Sequence, residues 1–291
     1  MLGMLAVKAL LKPLSWVFRG RYPGKGFIVT GLVIVIPVVL MAVLAPLVSP
    51  YNPIKGGREW LKPPCPAHPF GTDNLNRDVL SRVIWGSRVV LAVVLTSALL
   101  SASIGIPLGL FSGYVGGRVD RVVSLFMDAM YAFPGLILAI ALASVLGPNI
   151  INAAIAISVV YIPTYFRMGR GQTMQVKANL FVEAAVAAGA SSWRVLLKHV
   201  LPNITPTLTV VATMNMADAI LTEAGLSFLG FVVTPPTPDW GFDLRAGQPF
   251  LLSGYWWPSL FPGAFILLLS LGLGLIGEGL NEVLAPKEYR I

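Results

Sequence analysis

The chain has 291 residues, of which 56% are hydrophobic and 12% charged, and a formal net charge of +8. Soluble domains carry roughly a quarter charged residues, so half that proportion excludes an ordinary soluble fold and points to a membrane protein with lipid as its solvent. One cysteine rules out an intrachain disulfide, and with only two histidines beside it no Cys/His metal cluster can form.

Residues 1–26 carry Lys8, Lys12, Arg19, Arg21 and Lys25 and lack a signal-peptide pattern, so they read as a tail. About 20 apolar residues cross a bilayer as a helix. Six segments qualify: Phe27–Val48, Val89–Phe111, Val122–Leu146, Ile150–Phe166, Ile204–Val233 and Leu260–Leu284. Residues 27–88 form the first span and a long connection, and 89–291 the remaining spans. That connection is Pro/Gly-rich up to Gly71, and Thr72 or Asp73 is placed to cap a helix. From Leu75, apolar Val79, Leu80, Val83 and Ile84 recur at helical spacing, which predicts an amphipathic helix leading into span two. His68 and Cys65 lie among the prolines of this connection and read as structural.

Span two carries Ser101, Gly105, Gly109 and Gly113 four residues apart, a seam on which another helix can pack closely. After the fourth span, residues 167–203 are polar. Helix formers fill 180–188, Gly189 favours a C-cap, and Ser191 or Ser192 can cap a second helix. In that helix Trp193, Leu196, Leu197, Val200 and Leu201 make an apolar stripe, and Pro202 is expected to end it. Ala184, Ala185 and Gly189 would let a partner's backbone approach, and Glu183 adds one charge for it to meet. A hairpin lying on the membrane surface satisfies the same pattern. A second connection, Thr234–Ser259, starts rigidly with Pro235-Pro236-Thr237-Pro238-Asp239-Trp240-Gly241. The Trp256-Trp257 pair suits a membrane interface.

An even number of spans puts both termini on one side. Fourteen Lys and Arg lie on that side and seven on the other, so the termini and the 167–203 loop are expected in the cytoplasm. The same bias accounts for the basic balance, and no nucleic-acid partner is expected. Gly272-Leu273-Gly274-Leu275-Ile276-Gly277 spells a dinucleotide fingerprint but lies inside a span, where small residues serve helix packing. No phosphate-binding P-loop, zinc-protease or serine-hydrolase motif occurs, so no catalytic residue and no bound cofactor or metal is expected in this chain. Asp128, Asp218, Glu223 and Glu278 sit in or near spans, where acids are costly and face a bundle interior or a water-filled path. Asp128, Asp218 and Glu223 are candidates for a substrate route that would attract a cationic group; structural pairing is the alternative. Asp218 and Glu223 are five apart, about 140° around a helix, so both cannot line one narrow face.

Glu183-Ala184-Ala185-x3-Gly189 with Leu201-Pro202 downstream resembles the EAA motif of ABC-importer permeases, with His199 where that motif often has an apolar residue. His68-Pro69-Phe70-Gly71-Thr72-Asp73, Arg77-Asp78-Val79-Leu80-Ser81-Arg82, Leu221-Thr222-Glu223-Ala224-Gly225-Leu226-Ser227-Phe228-Leu229-Gly230 and Pro235–Gly241 resemble segments of dipeptide/oligopeptide permeases, in the second subunit of the permease pair. The resemblance runs from about residue 68 to the C-terminus. It implies an all-α, six-span type I importer fold in a prokaryotic cell membrane, with coupling helices over 180–202. Glu183, Ala184, Ala185, Gly189, Ser191, Trp193, Leu201 and Pro202 would form the coupling surface. Asp73, Arg77, Asp78, Asp239 and Trp240 are candidates for docking a substrate-binding protein. The implied partners are a homologous permease, one or two cytoplasmic P-loop ATPases that bind ATP and Mg, and that binding protein. The implied cargo is a di- or oligopeptide, with oligosaccharide or nickel as alternatives. A proton-coupled secondary transporter is the rival class, and it would show paired internal repeats.

Overall fold

A computed structural model describes residues 23–284. The terminal basic residues used to orient the chain (Lys8, Lys12, Arg19, Arg21, Lys287 and Arg290) lie outside them. Every regular element described is helical: α1 (Lys25–Val43), α2 (Ala45–Val48), α3 (Val79–Val115), α4 (Gly117–Tyr131), α5 (Gly135–Leu146), α6 (Ile150–Lys177), α7 (Leu180–Ala187), α8 (Ser192–Phe228), α9 (Trp240–Gly247) and α10 (Trp257–Leu284). Five of these are long and apolar enough to cross a bilayer, and α4 with α5 make a sixth crossing if the pair counts as one.

Three expectations change. The predicted third span is not straight: α4 and α5 meet at 88°. Pro134, at ψ 122° ahead of α5, cannot donate a helical hydrogen bond, and it disfavours helical backbone at Phe133. The amphipathic helix does not start near Leu75. Residues 73–78 form a turn, and α3 begins at Val79, where the Asp78 carboxylate accepts from the Ser81 N–H at 2.7 Å. Asp73 is used earlier, accepting from the N–H groups of Leu75 and Arg77 at 2.8 Å each. Nor does Pro202 end a helix. Residues 196–200 form a π turn in which the Leu201 N–H reaches back five residues to the Leu196 carbonyl. Pro202 then falls in the first turn of the next α stretch, where a missing N–H costs little. One helix therefore runs from the loop at Ser192 to Phe228 at the opposite end of the molecule.

Small residues set the packing. A Cβ on Gly105, Gly109 or Gly113 would stand 2.6, 2.5 and 2.7 Å from the carbonyl oxygens of Ile162, Phe166 and Arg170, so α3 lies directly on α6. A Cβ on Gly31 of α1 would meet the Gly272 carbonyl of α10 at 2.5 Å, and one on Gly277 would meet Met214 of α8 at 2.9 Å. The fingerprint-like run in α10 is a packing face. The main apolar core joins α3, α5, α6, α8 and α10 through Val90, Val94, Ala139, Ile157, Ile220 and Leu269.

Candidate functional site

At one end of the bundle, α7 and the start of α8 form a hairpin. α6 runs on to Lys177, so the first part of the predicted polar loop is helix. α7 ends in a Schellman arrangement: the Gly189 N–H donates to the Val186 carbonyl at 2.9 Å and the Ala190 N–H to the Ala185 carbonyl at 3.0 Å. That closure needs a left-handed residue, and Gly189 has φ 84°. Ser191 occupies the N-cap position of α8 without a side-chain cap bond. The inner face is anchored by Val182, Val195, Leu196, Val200 and Ile204 packed with Leu110 of α3 and Val176 of α6. The predicted stripe is split: Leu196 and Val200 are buried, Leu201 half-buried, and Trp193 and Leu197 exposed. The outer face presents Leu180 (81% exposed), Phe181, Val186 and Trp193 (67% exposed) beside exposed Glu183, Ala184 and Gly189. Ala185 is half-buried, and a Cβ on Gly189 would meet nothing within 4 Å. Apolar side chains clustered on a protruding hairpin around one carboxylate form a face that a partner can cover.

Within the bundle, a cavity of about 370 Å³ opens between α4, α5, α6 and α8, lined by Tyr131, Phe133, Tyr161, Thr164, Asn215 and Asp218 among others. The Tyr161 hydroxyl donates to Asp218 Oδ2 at 2.7 Å and lies 3.1 Å from Thr222 Oγ1. Asp128 is elsewhere: exposed Arg167 bonds its carboxylate at 2.7 Å while the guanidinium lies 4.0 Å from the Tyr131 ring centroid. Glu223 does not line the cavity. It is fully buried beside Asp239, with neither carboxyl oxygen bonded among the described residues, while Asp239 accepts from Ser227 and from the Gly241 N–H at 3.0 Å. No cation pairs with either carboxyl among the described residues. Burial pushes the Asp239 carboxyl above its ordinary range.

At the end of the bundle opposite the hairpin, residues 49–88 and 231–259 knit into a cap. Arg82, 2% exposed, donates to Asp243 at 2.9 Å through Nε and 2.5 Å through Nη2, and to the Pro53 carbonyl at 2.9 Å. Burial lifts Asp243 to about 6 even though Arg82 draws it down. The Trp240 indole N–H donates to the Val83 carbonyl at 2.8 Å, and that of Trp257 to the Thr72 carbonyl at 2.9 Å. Asp73 pairs with Arg77 at 2.7 Å, and Asp78 lies 2.8 Å from His68 Nδ1. The five residues expected to dock a binding protein are therefore all inside: Asp73, Arg77 and Asp78 are 3–6% exposed, and Asp239 and Trp240 are 0% exposed. They build the cap and do not offer a contact surface, because the loops and helices of the cap cover them.

Residues 105–288 match the model of a family described as binding-protein-dependent transport system inner membrane component. The chain belongs to that family. This permease is 38% identical over 94% of its length to the probable D,D-dipeptide transport system permease protein DdpC of Escherichia coli, covering 91% of that protein. It is 40% identical to the di/tripeptide transport system permease protein DppC of Pseudomonas aeruginosa, with 88% and 87% of the two chains covered. The glutathione transport system permease protein GsiD of Pectobacterium atrosepticum is 37% identical over 77% of this chain and 74% of its own. In fold, the permease matches a chain of the MetNI methionine ABC transporter in inward-facing form with a TM-score of 0.58 at 20% identity, covering 68% of this chain and 94% of that one.

Of the three acids proposed for a route through the permease, the structure sets one on the cavity, Asp218. Tyr161, Thr164 and Asn215 were missed as cavity residues. A signal existed: Tyr161 with Thr164, and Asn215 with Asp218, are polar pairs three apart inside apolar spans, which places each pair near one helix face.

Proposed function

We propose that this permease forms one half of the translocation path of an ABC importer for dipeptides and other short peptides. The 37–40% identity, sustained over most of the chain, to permeases named for D,D-dipeptide, di/tripeptide and glutathione transport carries the cargo assignment. A homologous permease completes the path. Cytoplasmic ATPases bind ATP and Mg and take hold of the α7–α8 hairpin through Glu183, Ala184, Ala185, Gly189, Ser191 and Trp193. Leu201 and Pro202 pass their movement into α8, which spans from the hairpin to the cap, and rigid-body displacement alternates access. A substrate-binding protein docks on the cap through exposed residues that include Trp60 and Leu252. In this reading the termini and the hairpin lie in the cytoplasm of a prokaryotic cell, and the membrane is its inner one.

The test is purification of the assembled complex and peptide uptake in proteoliposomes. ATP-dependent uptake that also requires the binding protein is the expected result. Uptake driven by a proton gradient without ATP, or a chain that elutes alone from several mild detergents, overturns the reading.

A further inference from the structure

We propose that the Asp218 cavity is a cation subsite that receives the ammonium group of the cargo during its passage. This rests on the peptide-importer reading and adds the chemistry by which the path holds its load.

Asp218 stands in the cap-side third of α8, a helix that spans the bundle, and its side chain opens on the cavity. Among the described residues no Lys, Arg or His pairs with it; its one side-chain partner is the Tyr161 hydroxyl. Of the other acids of the bundle, Asp120 has Arg170 at 2.5 Å, Asp128 has Arg167, Glu223 is buried beside Asp239, and Glu278 lies off the cavity lining. An ionised carboxylate within a span is costly without a counter-charge, so Asp218, the acid that lines the cavity, is poised to receive a mobile cation.

The surroundings select the kind of cation. A carboxylate accepts from about four directions. Tyr161 occupies one and orients the group. Asn215 and Thr164 add polar side chains to the lining beside the charge. Phe133 adds aromatic surface, which attracts organic cations through the ring face, whereas the Tyr131 ring is already met by the Arg167 guanidinium. An inorganic ion would want several oxygen ligands, whereas the cavity supplies one carboxylate, hydroxyls, an amide and rings. A primary ammonium, the N-terminal end of a peptide, has three donors, which suit the directions of Asp218 that Tyr161 leaves open. At about 370 Å³ the cavity has room for one or two residues of such a chain.

The test uses the assembled transporter without its binding protein, so that cargo selection upstream does not intervene. A photoactivatable dipeptide with a free amino terminus is offered alongside its N-acetylated counterpart, and labelling of the 131–138, 160–164 and 215–218 segments is read by mass spectrometry. The free amine is expected to label these segments at least about tenfold more than the acetylated probe, the scale of one charge-assisted hydrogen bond. Asp218→Asn removes that preference, and Asp218→Glu keeps part of it. Assembly of Asp218→Asn with its partner subunits at wild-type yield and melting temperature shows that the fold survives. Equal labelling by the two probes, or an undiminished preference in Asp218→Asn, overturns the subsite while leaving peptide transport standing. If the wild-type complex carries no peptide at all when its binding protein is restored, the cargo assignment has failed and the subsite falls with it.

Discussion

The hairpin at 180–202 and the cap at 49–88 and 231–259 both carry the residues by which this chain resembles peptide permeases, yet they use them in opposite ways. In the cap these residues turn inward. Arg82 and Trp240 are buried and hold two sequence-distant segments together through an ion pair and hydrogen bonds, and Asp78 and Asp239 are buried as helix caps. In the hairpin, Glu183, Ala184, Gly189 and Trp193 turn outward, and what is buried beneath them is ordinary aliphatic packing. A recognisable run of residues can thus mark a scaffold as readily as a surface, and only burial separates the two.

Substitutions ranked by their effect on the fold sharpen that contrast. Arg82→Ala leaves Asp243 buried without its cation and should cost about 3–5 kcal/mol, read as a collapse in the yield or thermal stability of the purified complex. An unchanged melting temperature would mean that the cap is not held by this pair. Gly109→Leu pushes a side chain into the Phe166 carbonyl and should cost about 1–3 kcal/mol by prising α3 from α6, visible in the same melt. Glu223→Gln keeps the side chain's shape and offers an amide N–H to the neighbouring Asp239 where no cation is lost, so it should stay within about 1 kcal/mol of wild type. A larger loss would show that the acid itself, rather than a hydrogen bond to Asp239, is required. Glu183→Lys should change stability by less than about 0.5 kcal/mol, since the side chain is exposed and makes no ion pair among the described residues. Transport and ATPase co-purification should nevertheless fall sharply; if both persist, the hairpin is not the coupling surface.

Much of the architecture was legible because lipid imposes simple rules. Long apolar runs marked the spans, and the four-residue seam of Gly105, Gly109 and Gly113 announced close packing. The bend at Pro134 was harder to read, because a proline is equally compatible with a kinked helix and a broken one. The continuity of α8 through Pro202 was hidden because a π turn moved the proline into a first-turn position. In the site, the left-handed closure at Gly189 was readable from local chemistry. The cavity was not, since Tyr161 and Asp218 are 57 residues apart and meet only when α6 packs on α8.

By itself the sequence determined that this protein is helical, lives in a membrane and carries a small-residue packing seam, because those properties depend on composition and on spacing along one helix. Tertiary structure decided which acids are spent and which is open, and which recognisable residues face inward. Burial and partnership are properties of pairs of segments, and the partner of Arg82 lies 161 residues away at Asp243.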